Sequence, residues 1–244
     1  IMLSSMRRAD RIVAVSECVK RDLVRYFHID ADKIDVIYGG CHSRFTQPIS
    51  NEQIEQVRER YNLPERYLLV SGTHSARKNL NHIIETLPQI DPTVSIVIVG
   101  RGTKHTEALT RRVKSLGMEH RVLMLHGVAA EDMPAIYHAA LAYLMLSLYE
   151  GFSTTIVEAI TVGVPVIAAK GSSLEEVGGA GSIYVAPDDR AALVEAVGRV
   201  VESEQLRLKM IAEGREYATR FRPEVIAYNI LNCYKRIGVE IPMW

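Results

Sequence analysis

Ala142-Tyr-Leu-Met-Leu-Ser-Leu-Tyr-Glu150-Gly-Phe-Ser-Thr-Thr-Ile-Val-Glu158-Ala-Ile-Thr-Val-Gly163-Val-Pro-Val-Ile-Ala168 is the stretch that decides the fold. Ala142 to Leu146 is apolar throughout, as a strand covered on both faces must be. Ser153 to Thr161 carries apolar side chains at helical spacing, and Ser153 or Thr154 is placed to cap that helix. Gly163 ends it, and Val164 to Ala168 is a second fully apolar strand. A buried strand, a helix and a second buried strand make a parallel unit.

The same alternation extends in both directions. Upstream lie strands Tyr67 to Ser71, Val94 to Val99 and Val122 to Leu125, separated by helices Asn79 to Leu87 and Thr106 to Leu116 and followed by helix Glu131 to Ala140. Downstream come a short helix near Ser173 to Val177, strand Ser182 to Val185 and helix Asp189 to Ser203. The expected class is therefore α/β, a doubly wound parallel sheet of Rossmann-like type. Helices Glu204 to Tyr217 and Pro223 to Lys235 fall beyond the last strand. Before the sheet, Arg11 to Ser16 reads as a buried strand, Cys18 to Phe27 as an amphipathic helix and Asp35 to Tyr38 as another short strand. A loop and the charged helix Asn51 to Tyr61 then join this small module to the main one.

Composition narrows the function classes. The 244 residues hold 29 basic and 29 acidic side chains, so no basic excess points to nucleic acid, and any anion site has to be local. Cys18, Cys41 and Cys233 are widely spaced and show no metal-ligand pattern, which suits a reducing cytoplasm and predicts no metal. The longest central apolar run, Ile136 to Leu148, is broken by His138 and falls short of the roughly 20 residues of a membrane span. The chain starts at Ile1 without a secretory pattern, as a piece of a longer protein would.

In an open parallel sheet, ligands bind outside the carboxyl ends of the strands. Four loops qualify. Gly72-Thr-His-Ser-Ala-Arg77-Lys78-Asn79 sets two cations at a helix entrance, suited to a pyrophosphate or simply solvated. Val99-Gly-Arg-Gly-Thr103 lacks the third glycine of a dinucleotide fingerprint and reads as a turn. Gly171 to Gly179 offers backbone amides beside a glycine pair, and a structural turn is its plain alternative. The loop from Ser147 to Glu158 is the most informative. Glu150 closes a buried strand, Gly151 allows close backbone approach, and Glu158 lies just over one turn into the helix. Ionised carboxylates accept only, so the pair suits sugar hydroxyls. Glu216 and Glu224 share the spacing, so spacing alone decides nothing.

Together these segments resemble the retaining glycosyltransferases of family four, which have the GT-B fold. The resemblance rests on Tyr149-Glu-Gly-Phe152 through Glu158-Ala159, Gly163-Val-Pro-Val166, Leu174-Glu-Glu176-Val-Gly and Ala186-Pro-Asp188. Gly72-Thr73 through Arg77-Lys78-Asn79 looks like the form found in mannosyl- and rhamnosyl-type members that build bacterial surface polysaccharides. The resemblance implies transfer of a sugar from a nucleotide-diphosphate sugar (GDP-, UDP- or dTDP-linked) to a glycan or lipid-linked acceptor, with retention and without a metal or other cofactor. It implies that Glu150, Arg77 and Lys78 serve catalysis, Glu150 touching the donor sugar and the two cations the leaving diphosphate. Gly72, Thr73, Gly151, Phe152, Ser153, Thr154 and Glu158 would bind the donor, Glu158 through its ribose.

The chain departs from the family pattern at Thr73, where many relatives have arginine, and at Ser153-Thr154-Thr155, where many have Gly-Leu-Pro. The implied organisation is a remnant of the N-terminal acceptor domain and linker at 1–45, a donor domain at 46–222 and a C-terminal crossover helix at 223–244. The final helix should pack its apolar face on the remnant or on a second copy of the chain, giving a homodimer in the latter case. Lacking most of the acceptor domain, the chain is expected to be inactive alone. The full enzyme is expected in the cytoplasm, peripherally at the inner membrane face. Two alternatives are a non-catalytic nucleotide-binding or assembly module of the same fold and a nucleotide-sugar epimerase.

Overall fold

A computed structural model describes residues 2–239, so Ile1 and residues 240–244 of the expected crossover segment lie outside the described residues. The first elements are helix α1 (Met2–Arg8), strand β1 (Ile12–Ala14), helix α2 (Glu17–Phe27) and strand β2 (Ile34–Val36). β1 and β2 pair in parallel, Ile12 opposite Ile34, as a sheet of their own. Ala14, Leu23, Ile29 and Ile34 form its small core. The strand expected to run to Ser16 stops at Ala14, because Ser16 turns to cap α2, its Oγ accepting from Val19 N at 3.0 Å. The short helix α1 was not anticipated.

After helix α3 (Asn51–Tyr61) the main sheet is built from β3 (Tyr67–Ser71), β4 (Ser95–Val99), β5 (Val122–Leu125), β6 (Ala142–Met145), β7 (Val166–Ala169) and β8 (Ile183–Val185). All its pairings are parallel, in the order β5-β4-β3-β6-β7-β8. The expected doubly wound sheet is thus present. Because the order turns back at β3, right-handed crossovers send the helices leaving β3 and β6 to opposite faces. Over one face α4 (Leu80–Thr86) touches both α5 (Thr106–Ser115) and α9 (Arg190–Glu202). The other carries α6 (Met133–His138), α7 (Thr154–Val162), α8 (Leu174–Gly178) and α10 (Glu204–Ala218), with α3 against α6 and α10 against α7. The central strands β3, β6 and β7 are buried along their whole length, which their unbroken apolar sequences require.

The last helix, α11 (Pro223–Arg236), returns to the small unit at the start of the chain. Cys233 Sγ lies 3.4 Å from Asp35 Oδ2, and Arg236 pairs with the same carboxylate, whose Oδ1 also meets Arg11 at 2.6 Å. These cations and the Cys233 thiol hold the Asp35 carboxyl below its usual range against its burial, the Arg11 hydrogen bond contributing most. The helix meets the small unit through these polar groups. Tyr228, Leu231 and Tyr234 remain exposed on its other side.

Candidate functional site

The sheet order turns back between β3 and β6, and the loops leaving their carboxyl ends meet there, where an open parallel sheet takes its ligand. The β3 loop turns at Gly72, whose φ of +123° suits glycine. Gly72 N donates to Val99 O at 2.9 Å, and a Cβ on Gly100 would stand only 1.8 Å from Gly72 O. The second loop, read from sequence as a plain turn, is therefore pressed against the first.

Beyond Gly72 the chain makes a short 3-10 turn (Ala76–Lys78) and enters α4 through Asn79, left-handed at φ 55°. Asn79 Nδ2 donates to Pro187 O at 2.8 Å, and Leu148 N donates to Arg77 O at 2.9 Å. The turn is thereby fixed to the β6 loop. Arg77 Nη1 donates to Tyr149 O at 2.6 Å and pairs with Glu150 Oε1, which Lys78 Nζ also meets at 2.9 Å. Burial pushes the Glu150 carboxyl up, but Arg77, Lys78 and Ser147 outweigh it and leave it below its usual range. Arg77, Lys78, Glu150 and Gly72 are brought together, since a Cβ on Gly72 would touch Lys78 Cε at 3.2 Å.

The remaining candidates divide. Ser153 caps α7, its Oγ accepting from Ile156 N at 3.3 Å, and Thr154 opens the helix as an exposed residue. Between the two capping candidates the structure selects Ser153. Thr73 is exposed on its loop. The Phe152 ring turns into an aromatic cluster, stacked 6.3 Å from Tyr38 and edge-on to Phe221 at 6.0 Å. Gly151 faces the small unit: its carbonyl accepts from Ser16 Oγ at 2.6 Å, and a Cβ there would lie 3.2 Å from Val19 Cγ2.

Glu158 has other partners than Glu150. Its Oε2 accepts from Tyr137 Oη at 3.1 Å, and that hydroxyl meets Ser71 Oγ at 2.8 Å, which in turn meets Tyr143 Oη at 3.0 Å. Burial raises its carboxyl to about 7, with Tyr137 and Arg44 pulling the other way. Several residues here escape sequence reasoning. Glu176 binds the first turn of α2, accepting from Glu17 N at 2.6 Å and Cys18 N at 3.2 Å. His74, 1% exposed, meets Thr106 Oγ1 at 3.0 Å and lies 5.3 Å from the His126 ring. Burial, and then His126, lowers its pKa, so it joins the first two loops as a neutral ring. Ser71 alone left a trace, as the one polar residue closing an apolar strand.

Among the described residues, no cluster of histidine, cysteine and carboxylate could hold a metal, and no helix is long and apolar enough to cross a membrane. Residues 51–217 match the family model of glycosyl transferases group 1, and residues 1–44 match that of glycosyltransferase family 4. The O-antigen chain mannosyltransferase RfbU of Salmonella typhimurium is 26% identical over 238 residues, covering 98% of this chain and 61% of the relative. The O-antigen chain mannosyltransferase B of Escherichia coli is 28% identical over 237 residues, covering 95% and 62%. The chain thus spans about three-fifths of the length of these relatives. In fold it is similar to a glycosyltransferase from Rickettsia africae, with TM-score 0.88, 22% identity and coverage of 99% and 66%. It is likewise similar to Anabaena HepE, solved in complex with UDP and glucose, with TM-score 0.86, 23% identity and coverage of 96% and 65%. These likenesses are of fold, GT-B-like as expected. With the family model matching more than half of its length, the chain belongs to the group 1 glycosyl transferases.

Proposed function

We propose that the chain is the donor-binding half of a retaining hexosyltransferase, which takes a sugar from a nucleotide-diphosphate sugar and passes it to a glycan or lipid-linked acceptor. The observation that carries this reading is the convergence of Arg77 and Lys78 beside Gly72 and Glu150 at the switch point of the sheet, just before the amino end of α7. Breaking the bond at the anomeric carbon builds negative charge on the departing diphosphate. Two adjacent cations and the first N–H groups of α7 stabilise that charge more than they stabilise the ground state. Glu150, held by the same cations, lies where a sugar attached to that diphosphate would present its hydroxyls. Glu158 takes the ribose.

Residues 1–45 and 223–244 then belong with the acceptor-binding part of the enzyme, and 46–222 form the donor domain. Transfer needs donor and acceptor to meet across the cleft between the two parts, so the chain alone binds donor with little or no turnover. The two O-antigen chain mannosyltransferase relatives favour a mannosyl donor and an acceptor in surface-polysaccharide assembly.

Titration calorimetry with UDP, GDP and dTDP tests the site. Lys78→Ala and Glu158→Ala should each abolish or strongly weaken binding of whichever nucleotide the wild type takes. Unchanged affinity in both variants would sink the assignment.

A further inference from the structure

Glu158 is held by a buried line of hydroxyls from three other elements. Tyr143 on β6 meets Ser71 at the end of β3, Ser71 meets Tyr137 on α6, and Tyr137 meets Glu158 Oε2 on α7, at 3.0, 2.8 and 3.1 Å. An ionised carboxylate only accepts, and each hydroxyl has one proton to donate. With Glu158 ionised the line runs one way: Tyr143 donates to Ser71, Ser71 to Tyr137, and Tyr137 to Glu158. Each link polarises the next in a dry environment. Both tyrosines are fully buried, and the Tyr137 ring is pinned between Tyr143 at 5.3 Å and Phe45 at 5.6 Å. Its hydroxyl is a fixed point rather than a mobile partner.

We propose that Tyr137, backed by Ser71 and Tyr143, is the positioning residue that aims Glu158 at the ribose diol of the nucleotide and so sets selectivity for ribose over its deoxy forms. This rests on the donor-site reading above and deepens it. Tyr137 engages only Oε2, and among the described residues no hydrogen bond reaches Oε1. That oxygen is left to accept from the ligand. Two vicinal hydroxyls are the complementary donor set, and a site built to accept from hydroxyls rejects analogues that lack them. Ser71 directly precedes Gly72, so the end of β3 orients both the ribose carboxylate and the loop that carries the phosphate cations.

The test compares UDP and GDP with their 2′,3′-dideoxy counterparts by calorimetry on the full 244-residue chain, for wild type, Tyr137→Phe and Ser71→Ala. Wild type should favour the ribonucleotide. Tyr137→Phe keeps the ring and removes one hydrogen bond to a charged group, so ribonucleotide affinity should fall about tenfold while dideoxynucleotide affinity stays within about twofold. Ser71→Ala should shift the same ratio in the same direction by less, and it carries the test if Tyr137→Phe does not fold. Equal weakening of both nucleotides would mark the network as structural support only and overturn the proposal, as would an unchanged ratio in the folded variants. Wild type that binds without ribose preference removes the Glu158 role instead. Wild type that binds none of the four overturns this proposal, and binding of dTDP alone would leave the donor site standing without it.

Discussion

Glu150→Gln separates the two demands that meet at the crevice. The substitution keeps size and an acceptor oxygen but removes the charge that Arg77 and Lys78 share. The Lys78 side chain is 13% exposed and that of Arg77 47%, so only the lysine depends on Glu150 for most of its compensation. Breaking a fully buried pair costs about 3–5 kcal/mol. With Arg77 able to turn to water and the glutamine oxygen still accepting, about 2 kcal/mol is the reasonable loss here. For a chain of this size that lowers Tm by roughly 4–8 °C, readable by calorimetry or thermal shift.

The ligand response should run the other way. The unpaired cations await an anion, so a nucleoside diphosphate without sugar should bind several-fold tighter to the variant, up to about tenfold if most of 1.4 kcal/mol is recovered. The matching nucleotide sugar should gain less, because it loses the carboxylate that meets its hydroxyls. A variant with wild-type Tm, or one that binds the bare diphosphate more weakly, would refute the shared-counter-charge account.

Three further outcomes follow from the geometry. Because burial raises the Glu158 carboxyl from 4.5 to about 7, the folded chain holds this proton more tightly than the unfolded one, and stability from this site is greatest below pH 4.5 and declines through pH 7. The full span amounts to ~3 kcal/mol, so denaturant unfolding at pH 5 and pH 8 should show Glu158→Gln gaining on wild type at the higher pH; a constant difference would contradict it. Gly100→Ala drives a methyl into the carbonyl of Gly72 and should cost more than about 3 kcal/mol, whereas wild-type stability would deny the close crossing of the two loops. Glu176→Ala removes the acceptor for Glu17 N and Cys18 N and should cost about 1–2 kcal/mol, with faster hydrogen exchange at those two amides; unchanged exchange would exclude the contact.

The strands were legible because their apolar runs are continuous and bounded by glycine, serine or proline, and the loops at their ends were legible because topology says where ligands enter. Side-chain partners were another matter. The Phe152 ring goes to Tyr38 and Phe221, which no local pattern connects. Tyr137 and Tyr143 lie on different elements, and only the fold brings their hydroxyls to Ser71 and Glu158. The contact of Glu176 with α2 joins residues 159 positions apart, beyond the reach of periodicity. β1 and β2 are too short to show their pairing, which depends on the Ile12 to Ile34 register. Neutral net charge concealed the cations, because two residues leave little trace among 29 basic and 29 acidic side chains.

The central claim is that Arg77 and Lys78 receive the diphosphate while Glu158 receives the ribose. A crystal structure of the chain with whichever of UDP, GDP or dTDP it binds addresses this most directly. Phosphate oxygens should lie within hydrogen-bond reach of both cations and of the first amides of α7, with the pentose against Glu158 Oε1. A nucleotide bound in the same crevice with its phosphates away from Arg77 and Lys78, or bound elsewhere on the chain, would contradict it.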